Sequence, residues 1–279
     1  MRVCSDSRSE GEERLVLTRM LGASPRRYFE IVTVLAARYV KVRYRGSALG
    51  IFWSVLNPLI MTCLYTVIFG HAFRGAFGGS MVDYLFAVFV GLSSMNYFSS
   101  STSQALQSVV SNGLLLNKMR LPAAAFPVAT ILSNTLQLAF GIVPILLIVA
   151  VVLGHNPFGA PLILVPLLSL VLLALGAALA VSALYVFFRD IPYLYELFVF
   201  VVFVATPVFY PLSIISPRFQ PYFRLNPLTT IIGELRFIVV RGGIPSVESL
   251  LGTLALGIIA LVAGGALFAR LSPRFMDYL

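Results

Sequence analysis

Few side chains in this sequence could do covalent chemistry, and they do not stand together. His71 and His155 are its two histidines; each lies alone in a turn, with no pair of acids beside it for general acid and base work. Cys4 falls in a polar N-terminal stretch and Cys63 in a long apolar run, an arrangement that matches neither a disulfide framework nor a metal motif. A phosphate-cradling Walker loop needs a Gly-Lys pair, whereas Lys41 follows Val40 and Lys118 follows Asn117, so ATP is not bound in that way. Ion-coupled transport leaves ionisable groups inside apolar spans. The five cleanest apolar runs hold none, and Asp83 and Glu196 sit near run ends. What the sequence does offer is aromatic surface, with 22 Phe, 12 Tyr and one Trp. Trp53, Tyr65, Phe69, Phe203, Phe209 and Tyr210 lie in or beside apolar runs, and such faces can stack on sugar rings without demanding one register. The plain alternative for each of them is a lipid belt or core packing.

These residues must be positioned by membrane helices. Hydrophobic residues make up 59% of the chain and charged ones 11%, against about 25% charged in soluble domains. Residues 46–73 contain no Lys, Arg, Asp or Glu, and a crossing needs about 20 residues. Reading the other uncharged runs in the same way predicts six spans near 48–70, 84–101, 123–153, 162–188, 193–212 and 249–269. Residues 103–122 read as a cytosolic helix, a turn at Asn112 and Gly113, and a short apolar-then-basic segment ending at Pro122. Residues 213–248 mix four arginines and four prolines with apolar clusters, too polar to span and too apolar for a free loop. They read as short re-entrant helices, since irregular backbone at membrane depth must be covered by protein or water. Asn57-Pro58 and Thr206-Pro207 predict kinks within the first and fifth spans. Gly46 with Gly50, and Ala260 with Gly264, read as close-packing pairs, within one subunit or between two.

Ahead of the first span, a helical wheel over residues 27–45 puts Arg27, Glu30, Arg38, Lys41 and Arg45 on one arc, and Tyr28, Val32, Leu35, Tyr39 and Val42 beside it. The pattern predicts an interfacial helix with its apolar face in the acyl boundary and Tyr39, Lys41, Arg43, Tyr44 and Arg45 at the headgroups. A solvated basic tail is the alternative. Residues 1–26 are a polar cytosolic tail, and residues 27–279 form one transmembrane domain. Fifteen of the twenty cations fall on the side of the termini, which makes that side cytosolic and explains the +9 net charge without nucleic acid.

The run VRYRGSALGIFWSVLNPLIMTCLYTVIF (residues 42–69) resembles the opening of the membrane subunit of ABC-2 type exporters for polysaccharides. VFFRDI (186–191), TPVFYP (206–211) and LNPLTTII (225–232) resemble the same family in the same order. That resemblance implies an all-α integral membrane fold with six transmembrane helices, an N-terminal amphipathic interfacial helix, and re-entrant helices between spans five and six. It implies a homodimer in the cytoplasmic (inner) membrane, two copies of a separate ABC ATPase that carries the ATP and magnesium, no cofactor in this chain, and a lipid-linked polysaccharide of the O-antigen, teichoic acid or galactan type. Permeases for a drug or small lipid share that fold, and a membrane scaffold or lipid-modifying enzyme is a third reading. Force from an ATPase must enter where the chain returns to the cytosol. The two internal returns are Asn117, Lys118, Met119, Arg120, Leu121 and Pro122, and the loop at Arg189 and Asp190; simple anchoring of headgroups by these cations is the alternative.

Overall fold

In the computed structural model, residues 25–47, 50–77, 79–118, 121–157 and 159–278 are described, and the N-terminal tail lies outside them. Among these residues the chain is helical, with no strand. Helix α1 (Pro25–Tyr44) precedes α2 (Trp53–Phe73) and α3 (Met81–Ser108), followed by short α4 (Gly113–Lys118). Next come α5 (Ala125–Gln137) and α6 (Val143–Val152), joined through a π turn at Leu138–Ile142, then α7 (Leu164–Phe187) and α8 (Ile191–Ala205). Short α9 (Gln220–Arg224), α10 (Pro227–Val239) and α11 (Val247–Leu271) complete the order. Five helical stretches are long and apolar enough to cross a membrane: Trp53–Phe77, Met81–Leu116, Ala125–Val152, Ala160–Phe187 and Val247–Asp277.

Local chemistry sets the helix ends. Ser80 caps α3 by accepting from the Asp83 amide at 2.9 Å, and Ser246 caps α11 through the Ser249 amide at 3.2 Å. Asn226 caps α10 while Pro227 fills its first position, where no N–H is needed. α3 is the spine, buried along most of its length and packed against α2, α5, α7, α8 and α10. α7 and α11 cross closely because a Cβ at Gly176 would strike the Ala260 backbone, and one at Gly264 would strike the Gly176 backbone. The Ala260 and Gly264 pair therefore packs inside one subunit. Gly46 and Gly50 do something else: they stand at φ +79° and +51° in the turn joining α1 to α2, so backbone conformation rather than helix packing accounts for them.

Three further expectations differ from the structure. The helix begun at Met81 continues past Ser101 to Ser108 without a break, its Ser and Thr hydroxyls donating back to carbonyls three or four residues earlier, as Thr102 does to Phe98 at 2.7 Å. The fifth hydrophobic run does not stay helical to 212. α8 stops at Ala205, because Thr206 turns extended (φ −100°, ψ 126°) ahead of Pro207, and its hydroxyl donates to the Val202 carbonyl at 2.7 Å. Thr206-Pro207 thus ends the helix instead of kinking it. Finally, part of the apolar face of α1 is covered by protein: Val32, Leu35 and Ala36 are buried in a cluster with Phe126 and Ala129 of α5 and with Phe268 and Phe275, while Val42 stays exposed.

Candidate functional site

Two cavities flank α3, and they differ in chemistry. The first opens toward the segment after α8 and has a volume of about 380 Å³. Beside it the aromatic residues assemble. Tyr65, Phe69 and Phe73 recur every fourth residue on α2, so they share one face. Phe209 lies against that face, 4.9 Å from Tyr65 and 5.4 Å from Phe69 between ring centroids, both stacked. Phe203 and Tyr210 adjoin Phe209 at 6.3 and 5.3 Å. Of the six candidate path residues, five therefore meet in one cluster; Trp53 is elsewhere, half-exposed at the start of α2.

Phe209 stands on non-helical backbone, so its place depends on what holds residues 206–211. Arg236 of α10 does this. Its Nε donates to the Ala87 carbonyl at 2.8 Å, Nη1 to Pro207 at 2.7 Å, and Nη2 to Val208. Gly91 of α3 leaves the room, since a Cβ there would stand 2.6 Å from Nη2. The Tyr84 hydroxyl donates to the Phe209 carbonyl at 2.7 Å, and Asn226 Nδ2 donates to Thr206 Oγ1 at 2.9 Å. α10 is itself tied to α11 by Glu234, whose carboxylate accepts from Ser249 at 2.5 Å and Thr253 at 3.1 Å. The sequence marks Tyr84 only as an aromatic within an apolar run and Arg236 only as a cation between spans, and gives Glu234 no role. The available signal was GELR, an acid and a base two residues apart amid otherwise apolar clusters.

The second cavity, about 540 Å³, lies at the other end of the helices, between the end of α1, the start of α2, the second half of α3 and the end of α5. Its lining is mostly hydroxyls and amides. Arg43 donates to Asn134 Oδ1 at 2.6 Å and to Gln104 Oε1, and the Tyr44 hydroxyl donates to Gln137 Oε1 at 2.7 Å. Arg43 and Tyr44, expected to face headgroups, thus reach inward to α3 and α5. Partial withdrawal from water lowers the Arg43 pKa from its usual value, while Tyr44 opposes that shift. Burial raises the Tyr39 phenol above its usual range, against the pull of the Arg38 cation. Lys41, Arg43 and Arg45 all keep exposed surface. The π turn after Gln137 brings Gly141 against α2, where a Cβ would meet Ser54 Oγ and Val55 Cγ2 at 3.1 Å, so the cavity has a close-packed floor.

The sequence profile of the ABC-2 type transporters matches residues 30–240, which include the polar cavity, all of the other cavity's lining but Arg241, and every helix from α2 to α10. The chain belongs to the ABC-2 type transporter family. It is 28% identical over 256 residues to a Klebsiella pneumoniae protein named O-antigen export system permease protein RfbA, covering 90% of this chain and 95% of that one. A Myxococcus xanthus protein of the same name is 28% identical over 254 residues, with the same coverage. Family and helices together make this ABC-2 chain a multi-pass membrane protein and a transport subunit.

The two segments expected to return to the cytosol also have places in this transporter fold. Asn117 and Lys118 end α4, Leu121 and Pro122 are half-buried ahead of α5, and Met119 and Arg120 lie outside the described residues. Arg189 and Asp190 form an exposed turn between α7 and α8, and Arg189 Nη2 donates to the Tyr278 carbonyl at 3.4 Å, joining the turn to the C-terminal end.

Proposed function

We propose that this chain is the permease subunit of an ATP-driven exporter that moves a lipid-linked polysaccharide, of the kind named for its O-antigen export relatives, across the cytoplasmic membrane. The observation that carries the reading is the pairing of a hydroxyl- and amide-lined cavity at one end of α3 with a stacked aromatic cluster at the other. A sugar polymer needs both: hydrogen-bonding groups where it is selected, and flat faces along which it slides. Similarity across 90% of the chain to two O-antigen export permeases supports the same substrate class.

In this reading α8 and the segment 206–211 together make a sixth crossing, and α9 and α10 dip into the outer leaflet without crossing. Both termini lie in the cytosol of the inner membrane. Six crossings are too few to enclose a polymer, so two copies surround the path, and two ABC ATPase chains, which carry ATP and magnesium, press on the turns at 117–122 and 189–190. The aromatic face of α2 and the segment 206–211 line the path; the interfacial helix 27–45 seats the domain at the membrane surface.

The experiment is deletion of the gene followed by analysis of lipid-linked glycans retained on the cytosolic side. Accumulation of one glycan, reversed by the wild-type gene, is the expected result. Normal surface glycan together with loss of efflux of a drug or simple lipid would overturn it in favour of a small-substrate permease.

A further inference from the structure

The polar cavity beneath the π turn has three features that packing alone does not require. The first is an uncompensated cation. Arg43 is tied to the neutral amide oxygens of Asn134 and Gln104, and no carboxylate lies at ion-pair distance among the described residues. Those two bonds use part of a guanidinium that offers five N–H donors in a planar fork suited to phosphate. The second is an unpartnered donor. Ser93 is 1% exposed and its Oγ has no hydrogen-bond partner, although Ser94 beside it donates to the Val90 carbonyl at 2.8 Å. A buried hydroxyl without a partner is destabilising, and a ligand that pairs it recovers that loss. The third is extent. Ser93 and Gln104 both line the cavity on α3, and at 1.5 Å per residue they stand about 16 Å apart along its axis. That is room for a phosphate group at the Arg43 mouth and sugar rings further in.

We propose that this cavity binds the phosphate-bearing end of the lipid-linked glycan, with the anionic group on Arg43 and the first sugar against Ser93, Asn96 and Asn57. The inference rests on the polysaccharide reading above and assigns its head-group subsite. Amides hold Arg43 in place without neutralising it: Asn134 Nδ2 also donates to Gln104 Oε1 at 3.1 Å, so the two acceptors fix one another. The lipid chain stays in the bilayer, outside the cavity.

Trp53 lines the cavity and is the single tryptophan in the sequence, so its fluorescence reports on this site in the purified full-length chain. The chain is placed in phosphatidylcholine liposomes and titrated with farnesyl-diphosphate-linked N-acetylglucosamine, with farnesyl diphosphate, and with phosphatidylglycerol. A saturable change in Trp53 emission is expected with both diphosphates and not with phosphatidylglycerol. Arg43→Gln should weaken both by about tenfold or more, the equivalent of about 1.4 kcal/mol. Lys41→Gln, which removes the same charge from the same helix outside the cavity, should leave them unchanged. Ser93→Ala breaks no hydrogen bond within the protein, so it tests the site even if Arg43→Gln fails to fold. It should weaken the sugar-bearing probe severalfold and leave farnesyl diphosphate unaffected.

An equal response to phosphatidylglycerol would make the site one for bilayer lipid and overturn the proposal. So would equal losses in Lys41→Gln and Arg43→Gln, or a Ser93→Ala protein that binds the sugar probe as wild type does. Failure here with glycan export still dependent on the gene removes the subsite and leaves the exporter standing; absence of glycan accumulation on deletion removes the exporter itself.

Discussion

Replacing Arg236 by methionine removes the clamp on the aromatic cluster while keeping a side chain of similar length. In the wild-type protein the guanidinium serves the carbonyls of Ala87, Pro207 and Val208 and lies 5.1 Å from the Phe77 ring centre. The Ala87 carbonyl keeps its place in the α3 ladder, whereas those of Pro207 and Val208, each costing about 1–3 kcal/mol when left without a partner, give a gross loss of about 2–6 kcal/mol. Two effects reduce it: a cation need no longer be withdrawn from water, and water in the adjoining cavity can re-pair part of the backbone. The net destabilisation is about 1–3 kcal/mol. At about 2–4 °C per kcal/mol for a chain of this size, that lowers the Tm by roughly 2–12 °C. The larger effect falls on function, because the freed segment carries Phe209 away from Tyr65 and Phe69. The assay is glycan export by complexes that still assemble, alongside thermal unfolding of the purified permease. Arg236→Lys, whose ammonium lacks the planar fork, should lie between wild type and methionine on both measures. An Arg236→Met permease that melts within about 1 °C of wild type and exports normally would refute the clamp.

Three other outcomes are expected. Tyr65→Ala and Phe209→Ala each remove stacking contacts of about 0.5–1.5 kcal/mol, so they should assemble with the ATPase yet export less glycan per complex; normal export by both would return these rings to core packing. Gly176→Val forces side-chain atoms into the α11 backbone at Ala260 and should cost at least about 3 kcal/mol, seen as loss of a monodisperse peak on size exclusion, whereas Gly233→Ala, which meets nothing within 4 Å, should be nearly silent there. Pro122→Gly keeps every charge but loosens the return ahead of α5; it should lower transport-linked ATP hydrolysis while the permease remains in the membrane, and unchanged hydrolysis and co-purification would rule this return out as a coupling contact.

Apolar runs were legible in the sequence because a bilayer penalises charge in any crossing, whatever the neighbours. That rule locates α2, α3, α5 with α6, α7 and α11 without knowledge of their packing. It is silent where backbone geometry decides. Gly46 and Gly50 are four apart, as helix-packing glycines are, yet both have positive φ in a turn. The glycine that governs the tightest crossing, Gly176, meets its partners on a different helix, so no spacing along the chain marks it. Cation counting assigned a side to Arg43 and Arg236 by position alone. It could not foresee that Arg43 turns in toward Gln104 and Asn134, or that Arg236 gathers carbonyls from α3 and the segment after α8. The aromatic cluster was half legible: an i, i+4 ladder on α2 follows from sequence, but its meeting with Phe209 depends on α8 ending at Ala205.

The division along α3 shows how one helix can serve both ends of a transport path. Its first half, from Tyr84 to Leu92, is almost wholly apolar and, apart from half-buried Leu85 and Phe86, buried, and it carries the backbone on which Arg236 and Gly91 meet. From Ser93 onward hydroxyls and amides take over, and the same level on α5 is marked by the π turn. A π turn inserts an extra residue into the helix, which rotates the side chains that follow relative to those before it. Gln137 can thus face the polar cavity while Leu146 and Val149 pack into the apolar core. In the proposed exporter, hydrogen-bonding selectivity then belongs to the cavity below this level, whereas the rings above it tolerate any sugar that presents a flat face. Substrate range should therefore shift with substitutions at Ser93, Asn96 or Gln104, whereas substitutions at Tyr65 or Phe209 should slow every substrate alike.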